Sequence, residues 1–324
     1  MYKPEDFNVD TLGKCKIPNP LDLSQKIGDG VFNYIRDDER VLYDASLKSY
    51  NLHKKNGKIP ISFEKSGPKE FIYYDPSKIR VAIVTCGGLC PGLNNVIRGL
   101  VMQLHRRYGV TRTIGIRYGY EGFIPSFKHD IIELTPELVE DIHTQGGSEL
   151  GSSRGEQNVD EIVDALERMN VNILFAIGGD GTLRGAKAIK DEITKTGLKI
   201  SVAGVPKTID NDFNFIKKSF GFETAFTVAT DILRGAHNDA KGAFNGIALV
   251  KLMGRDSGFI AANAALAVQE VNFAIIPEME FELHGPNGFL HLLRKRLERK
   301  RHALVVVAEG AGQNLFAETS EEHD

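Results

Sequence analysis

Charge of one sign is missing from this 324-residue chain: 40 Lys+Arg stand against 43 Asp+Glu, for a net charge of -3. That balance argues against a dedicated nucleic-acid binder, although it leaves room for a local basic patch. Cysteine is scarce. Three cysteines cannot staple a chain of this length, which points to a reducing, cytoplasmic setting. Cys86 and Cys90 lie near each other in sequence, but the second Cys/His pair of a structural zinc site is absent nearby. No apolar run approaches the roughly 18 residues of a membrane helix, so no membrane partner is expected. The opening MYKPEDFNVD is acidic and has no apolar core, so it does not read as a secretory signal. Neither an H-E-x-x-H zinc helix nor a Walker A loop occurs. His105, His237, His291 and His302 sit beside charged residues in helical or strand-edge contexts, and none invites a catalytic part.

Glycine is plentiful by contrast, at 33 residues, and it gathers where apolar runs end. Residues 1–79 lack clean apolar periods and read as an N-terminal extension, with His53-Lys54-Lys55-Asn56-Gly57 as an exposed loop. From Arg80 the chain becomes rhythmic. Strand-like runs cover Val81–Thr85, Ile173–Ile177, Ile200–Val205, Gly246–Lys251, Phe273–Ile276 and Ala303–Ala308. Helical periods fall between them, at Asn94–Arg107, Val159–Met169, Thr182–Thr194, Thr224–Ala236, Ser257–Val268 and Gly288–Lys300. The alternation predicts an α/β fold of βαβ units, and the continuously apolar runs predict parallel strands covered on both faces.

In such sheets ligands bind at the carboxyl ends of strands, so the residues after each strand carry the argument. The first strand leads into Cys86-Gly87-Gly88-Leu89-Cys90-Pro91-Gly92, which either cradles a phosphate at a helix N-terminus or serves tight packing. Gly178-Gly179-Asp180-Gly181-Thr182 places an acid between glycines. It can hold Mg²⁺ against nucleotide phosphates, the favoured reading, or it is a turn that caps a helix. Pro206-Lys207-Thr208-Ile209-Asp210-Asn211-Asp212 crowds two carboxylates with a hydroxyl and an ammonium. If extended, Asp210 and Asp212 point the same way and require a cation; Asp210 can take a proton while Asp212 places a metal. The alternative is a solvated acidic loop. Gly151-Ser152-Ser153-Arg154-Gly155 suits a polyphosphate through Arg154, or is a solvated loop. Met253-Gly254-Arg255 can stabilise a transferring phosphoryl group, unless Arg255 only pairs with Asp256 at the surface. Glu309, after the last strand, can accept from sugar hydroxyls or face solvent.

Taken in order, GGLCPGLNNVIRG, GSSRG, GGDGT, PKTIDND, MGRDSGFIA and AEGAG resemble the phosphofructokinase family over Arg80 to Gln313. The lead GGLCPGLN and the long N-terminal extension resemble its long ATP-dependent branch. The resemblance implies two βαβ parallel-sheet domains, an ATP-binding one at 80–220 and a sugar-phosphate-binding one at 221–324, after an extension at 1–79. It implies transfer of the ATP γ-phosphate to the 1-hydroxyl of fructose 6-phosphate with Mg²⁺, in a homo-oligomer (dimer or tetramer). Asp210 would be the base, and Thr208 and Arg255 would steady the phosphoryl group. Asp180 and Asp212 would place Mg²⁺. Gly87, Gly88, Tyr120, Arg154, Gly179, Gly181, Thr182 and Lys207 would line the ATP site. Met253, Gly254 and Glu309 would join Thr208, Asp210 and Arg255 at the sugar phosphate. Two departures accompany it. Gly246 stands where short bacterial enzymes carry an Arg. The family pattern also continues beyond the position of Asp324, so the second domain is expected to be incomplete. A pyrophosphate-dependent enzyme and an inactive nucleotide-binding assembly chain are the competing expectations. Gly181 leaves open the space that an Asp occupies in pyrophosphate-using relatives, whereas Lys207 resembles those relatives; the steric argument favours ATP.

Overall fold

Apolar runs that end in glycine fold as strands because their side chains find helices on both faces. The computed structural model describes residues 3–26, 28–313 and 315. By contact it divides into two units: Met1–Gly87, Asn94–Ile177 and Gly181–Val205 form the first, and Gly88–Leu93, Gly178–Asp180 and Pro206–Asp324 the second. Residues 314 and 316–324, the end of the expected 221–324 domain, lie outside the described residues.

The first unit opens with short elements: β1 (Ile17–Pro18), β2 (Arg40–Leu42), α1 (Leu47–Lys55), β3 (Ser62–Glu64) and β4 (Phe71–Ile72). β1 pairs with β4 and β2 with β3, both antiparallel. The loop expected around His53 is corrected, since His53, Lys54 and Lys55 form the last turn of α1. Ser46 starts that helix by accepting from the Ser49 N–H at 3.3 Å, and α1 buries no residue, so no apolar period marks it in sequence. The main sheet is built from β5 (Val81–Thr85), β6 (Thr113–Ile116), β7 (Ile131–Glu133), β8 (Ile173–Gly178) and β9 (Ser201–Thr208). They lie side by side as β9-β8-β5-β6-β7. β5 is parallel to β6 and β8, whereas β7 runs antiparallel on β6. The helices are α2 (Leu93–Arg106), α3 (Val159–Arg168) and α4 (Asp180–Thr196). Ala82 and Val84 of β5 and Leu174 and Ala176 of β8 pack on Ile162 and Leu166 of α3 and Ile189 and Ile193 of α4.

The second unit contains β10 (Phe220–Gly221), α5 (Phe222–Gly242), β11 (Gly246–Leu252), α6 (Phe259–Ala267), β12 (Phe273–Ile275), α7 (Phe289–Lys300) and β13 (His302–Ala308). Its sheet runs β11-β13-β12, all parallel. β13 is central, and its alternate residues serve opposite faces. Leu304, Val306 and Ala308 join α5 and α6, while Ala303 and Val305 pack with Leu293 of α7. β11 corrects the expectation of strands covered on both faces. It lies at the sheet's edge, and Ile247 and Leu249 are 49% and 68% exposed. No helix of the described residues is long and apolar enough to cross a membrane.

The buried strand β8 yields a stability test. Leu174 has no exposed surface, so Leu174→Ala should cost about 2–5 kcal/mol through lost burial and the cavity left behind. Chemical denaturation of the two proteins reads this directly, and a cost below about 1 kcal/mol would contradict the packing described.

Candidate active site

The apolar run of β9 continues through Pro206 and Lys207 to Thr208, because β10 gives Lys207 and Thr208 a parallel partner. The chain then turns. Thr208 Oγ1 donates to Asp210 Oδ2 at 2.9 Å and accepts from the Asp210 N–H at 3.1 Å. Asn211 adopts a left-handed φ of 56°. An extended acid pair is therefore corrected: the backbone is turned between Asp210 and Asp212. The expected cation is Arg255, with Nε 3.8 Å from Asp210 Oδ2 and an Nη 3.9 Å from Asp212 Oδ2. These are ion-pair separations too long for hydrogen bonds. The Arg255 side chain is 64% exposed, so its fork of donors can still meet an anion. Surface pairing with Asp256 is thereby replaced by pairing with the two site carboxylates.

Asp210 is only 8% exposed. Burial pushes its carboxyl above the ordinary range, and the charges of Asp212 and Glu309 push the same way, against the pull of the Thr208 hydroxyl and Arg255. Ser257, also buried, donates to the Asp210 carbonyl at 2.9 Å. Arg255 has a left-handed φ of 52°, and its N–H donates to Glu309 Oε2 at 3.1 Å. Glu309 thus anchors the Arg255 backbone. A Cβ at Gly310 would overlap the Arg255 carbonyl, and one at Gly254 would lie 2.6 Å from the Ser257 carbonyl oxygen. Met253, next to Gly254, is exposed. At Gly246 any Cβ would overlap the Ala240 carbonyl, so the Arg of short bacterial enzymes has no room at that position.

Lys207 is buried, and its ammonium donates to the Gly88 carbonyl. Cys90 Sγ donates to the Phe220 carbonyl at 3.0 Å. Its thiol is pushed up to about 11 by burial, against the pull of Lys207. Gly221 is left-handed at φ 96°, and a Cβ there would overlap Cys90 Sγ. The segment from Gly88 to Leu93 is thereby pinned to the end of β9 and to β10.

In the first unit, Gly87 is gripped by the serine loop. Its N–H donates to the Ser153 carbonyl at 3.0 Å, and its carbonyl accepts from Ser152 Oγ at 2.5 Å. Thr85 Oγ1 donates to the Gly151 carbonyl at 2.6 Å. Arg154 beyond them is exposed. Asp180 opens α4, two residues before the start expected at Thr182. Thr182 is buried in that first turn, and its carbonyl accepts from Tyr120 OH at 2.8 Å. Burial pushes the Tyr120 phenol up, and its ring packs where a Cβ on Gly185 would approach to 2.7 Å. A Cβ on Gly181 would meet nothing within 4 Å. Gly179 makes ordinary contact, its Cβ falling 3.7 Å from the Lys207 carbonyl. Glycines ahead of a long helix leave its first N–H groups unpaired by the helix, an arrangement able to receive an anion. Sequence reasoning passed over Ser257, Asn211 and Ser219, because their partners are backbone atoms that only the folded loop brings near.

Asp180 and Asp212 offer hard carboxylate oxygens. Among the described residues no group of three or more His, Cys, Asp or Glu could hold a metal. Mg²⁺ at nucleotide sites is held by one or two carboxylates with phosphate oxygens and water, so carboxylates of this type suit that ion.

The family model described as Phosphofructokinase matches residues 80–323. An ATP-dependent 6-phosphofructokinase of Borreliella burgdorferi is 48% identical over 317 residues, 96% of this chain and 70% of the relative. One from Amycolatopsis methanolica is 46% identical over 96% of this chain and 68% of the relative. The chloroplastic ATP-dependent 6-phosphofructokinase 5 of Arabidopsis thaliana is 49% identical over 79% of this chain and 47% of its own length. Among solved structures, a pyrophosphate-dependent phosphofructokinase from Marinobacter aquaeolei superposes with a TM-score of 0.63 at 22% identity, over 76% of this chain and 66% of that one. Phosphofructokinase from Saccharomyces cerevisiae gives 0.61 at 24% identity, over 72% and 34%. The fold is theirs.

Thiol chemistry tests the packing around Lys207. Cys15 is exposed, whereas Cys86 and Cys90 are buried. Alkylation needs the thiolate, so iodoacetamide at pH 8 should label Cys15 and spare Cys90 in the folded protein. Gly221→Ala should lower the melting temperature and speed Cys90 labelling. Equal labelling of Cys15 and Cys90 in the parent would contradict the arrangement.

Proposed function

The chain belongs to the phosphofructokinase family, and from that premise we propose that it transfers the γ-phosphate of ATP to the 1-hydroxyl of fructose 6-phosphate with Asp210 as the base. The enzyme class is ATP-dependent 6-phosphofructokinase, as in its relatives. The observation that carries the residue assignment is the buried Asp210 carboxylate, held by Thr208 and facing Arg255. Burial makes Asp210 a better proton acceptor than an ordinary aspartate, because ionisation is disfavoured there. It accepts the proton of the attacking hydroxyl. Arg255 meets the charge that spreads over the transferring phosphoryl oxygens, and Thr208 orients both the carboxylate and that group. Asp180 and Asp212 would hold Mg²⁺, which when bound would neutralise phosphate charge. Gly87, Gly88, Tyr120, Arg154, Gly179, Gly181, Thr182 and Lys207 serve the nucleotide. Tyr120 does so indirectly, by fixing the first turn of α4 through the Thr182 carbonyl. Met253, Gly254 and Glu309 serve the sugar phosphate, Glu309 also by holding the Arg255 backbone. We assign the ATP-binding part to residues 80–220 and the sugar-phosphate part to 221–324, in a cytoplasmic homo-oligomer.

Open space at Gly181 supports ATP over pyrophosphate. Lys207 does not speak against it, because its ammonium is engaged with the Gly88 carbonyl.

Asp210→Asn should cut kcat by roughly 10²–10⁴-fold. Linkage fixes a second outcome. The folded carboxyl lies above its unfolded value, so its stabilising effect belongs to pH below the unfolded range and is lost as pH rises through the folded one. At pH 7–8 the Asn variant should therefore melt no lower than the parent. Near-parental kcat would refute the base assignment. In a separate assay with each donor, Gly181→Asp should lose most of its kcat/KM for ATP while keeping its melting temperature within a few degrees. A parent that prefers pyrophosphate would overturn the choice of donor.

A further inference from the structure

The turn between Asp210 and Asp212 is held by a side chain that no part of the reaction above requires. Asn211 is 5% exposed and left-handed. Its carboxamide reaches across the loop: Nδ2 donates to the Lys217 carbonyl at 3.1 Å, and Oδ1 accepts from the Ser219 N–H at 2.8 Å. Ser219 is also buried. Its Oγ lies 3.3 Å from Asn211 Oδ1 and donates to the Thr208 carbonyl at 2.6 Å. The two residues close the loop from Thr208 to Ser219 into a ring of hydrogen bonds, with the two site carboxylates on either side of Asn211.

We infer that Asn211 and Ser219 act together as a positioning clamp that fixes Asp210 for the proposed reaction. The inference rests on the reading of Asp210 as the base. Three facts separate the clamp from ordinary loop packing. Asn is among the few non-glycine residues that adopt the left-handed region readily, so the backbone alone explains an Asn or a Gly at this position. It does not explain why both ends of the carboxamide are used on atoms six and eight residues further along. The second end of the ring falls on Thr208, the residue whose hydroxyl orients Asp210. Finally, Ser257 holds the Asp210 carbonyl from another element. With Thr208 fixed on one side and Asn211 on the other, the Asp210 side chain has little freedom to leave Arg255. A displacement of about 1 Å at a reacting group can cost on the order of 10²-fold in rate.

Asn211→Gly is the informative variant, since glycine accepts the left-handed φ and removes only the clamp. It should lower kcat about 10–100-fold with both KM values within about threefold, and its melting temperature should fall by no more than a few degrees. Ser219→Ala should shift kcat in the same direction, and the double variant should lose less than the product of the two, as members of one unit do. Amide exchange gives a readout independent of turnover: the Ser219 N–H should be protected in the parent and exchange faster in Asn211→Gly. Parental kcat in Asn211→Gly, multiplicative losses in the double variant, or an unprotected Ser219 amide in the parent would each overturn the clamp. Asp210→Ala measured alongside separates the two readings. If it keeps turnover, the base assignment itself falls; if it loses turnover while Asn211→Gly does not, only the clamp falls.

Discussion

A carboxylate kept out of water is the constraint around which the second unit is arranged. Burying a charge is costly unless hydrogen bonds and an opposite charge offset it. Asp210 receives both, from the Thr208 hydroxyl and the Arg255 guanidinium. Neither is strong enough to bring the carboxyl back to its ordinary range, because Asp212 and Glu309 add repulsion to burial. The residual cost leaves a carboxyl that holds its proton more readily than an ordinary aspartate, the property that the proposed base role uses. Glu309 shows how tightly the parts are linked: it repels the Asp210 charge, yet its carboxylate holds the backbone of the Arg255 that attracts it.

The glycine-rich segments follow a related logic. A backbone meant to approach an anion must be free of side chains on the approach, which leaves it with little to hold it in place. Small polar groups supply the hold from behind. Ser152 and Ser153 grip Gly87 at its carbonyl and its N–H. Lys207 spends a buried ammonium on the Gly88 carbonyl. Gly221 has to be glycine because Cys90 sits against it. Its role is packing, whereas the open surroundings of Gly181 mark a glycine kept bare toward solvent.

Among the strands that lead into these loops, Val81–Thr85 was legible in the sequence because its apolar run is buried throughout. Helices with an apolar face, such as Val159–Arg168, were legible for the same reason. What stayed hidden lacks that signature. α1 buries nothing, and its start depends on one serine. Thr113–Ile116 and Ile131–Glu133 are short, and only pairing with neighbours makes them strands. At the site, the residue types and their order along the chain could be read, since glycine, acid and arginine at strand ends are chemically unusual. The turn at Asn211 could not, because the extended alternative has the same sequence pattern, and what decides between them is a pair of hydrogen bonds to residues 217 and 219.

Two of the left-handed non-glycine residues lie beside the site carboxylates, while others, such as Tyr118 and Arg301, lie elsewhere. Asn211 and Arg255 are non-glycine residues in the left-handed region, a conformation that costs free energy unless the surroundings over-determine it. For Arg255 the surroundings are the Glu309 carboxylate and the bare face of Gly310. For Asn211 they are Lys217 and Ser219. Relaxing Arg255 toward an ordinary φ would redirect the side chain that faces Asp210 and Asp212, and relaxing Asn211 would undo its bonds to Lys217 and Ser219. The strain is thus tied to the geometry it maintains. A sequence optimised for stability alone would remove the buried charge and both left-handed residues together, and with them the alignment of acid, hydroxyl and guanidinium that the proposed phosphoryl transfer uses.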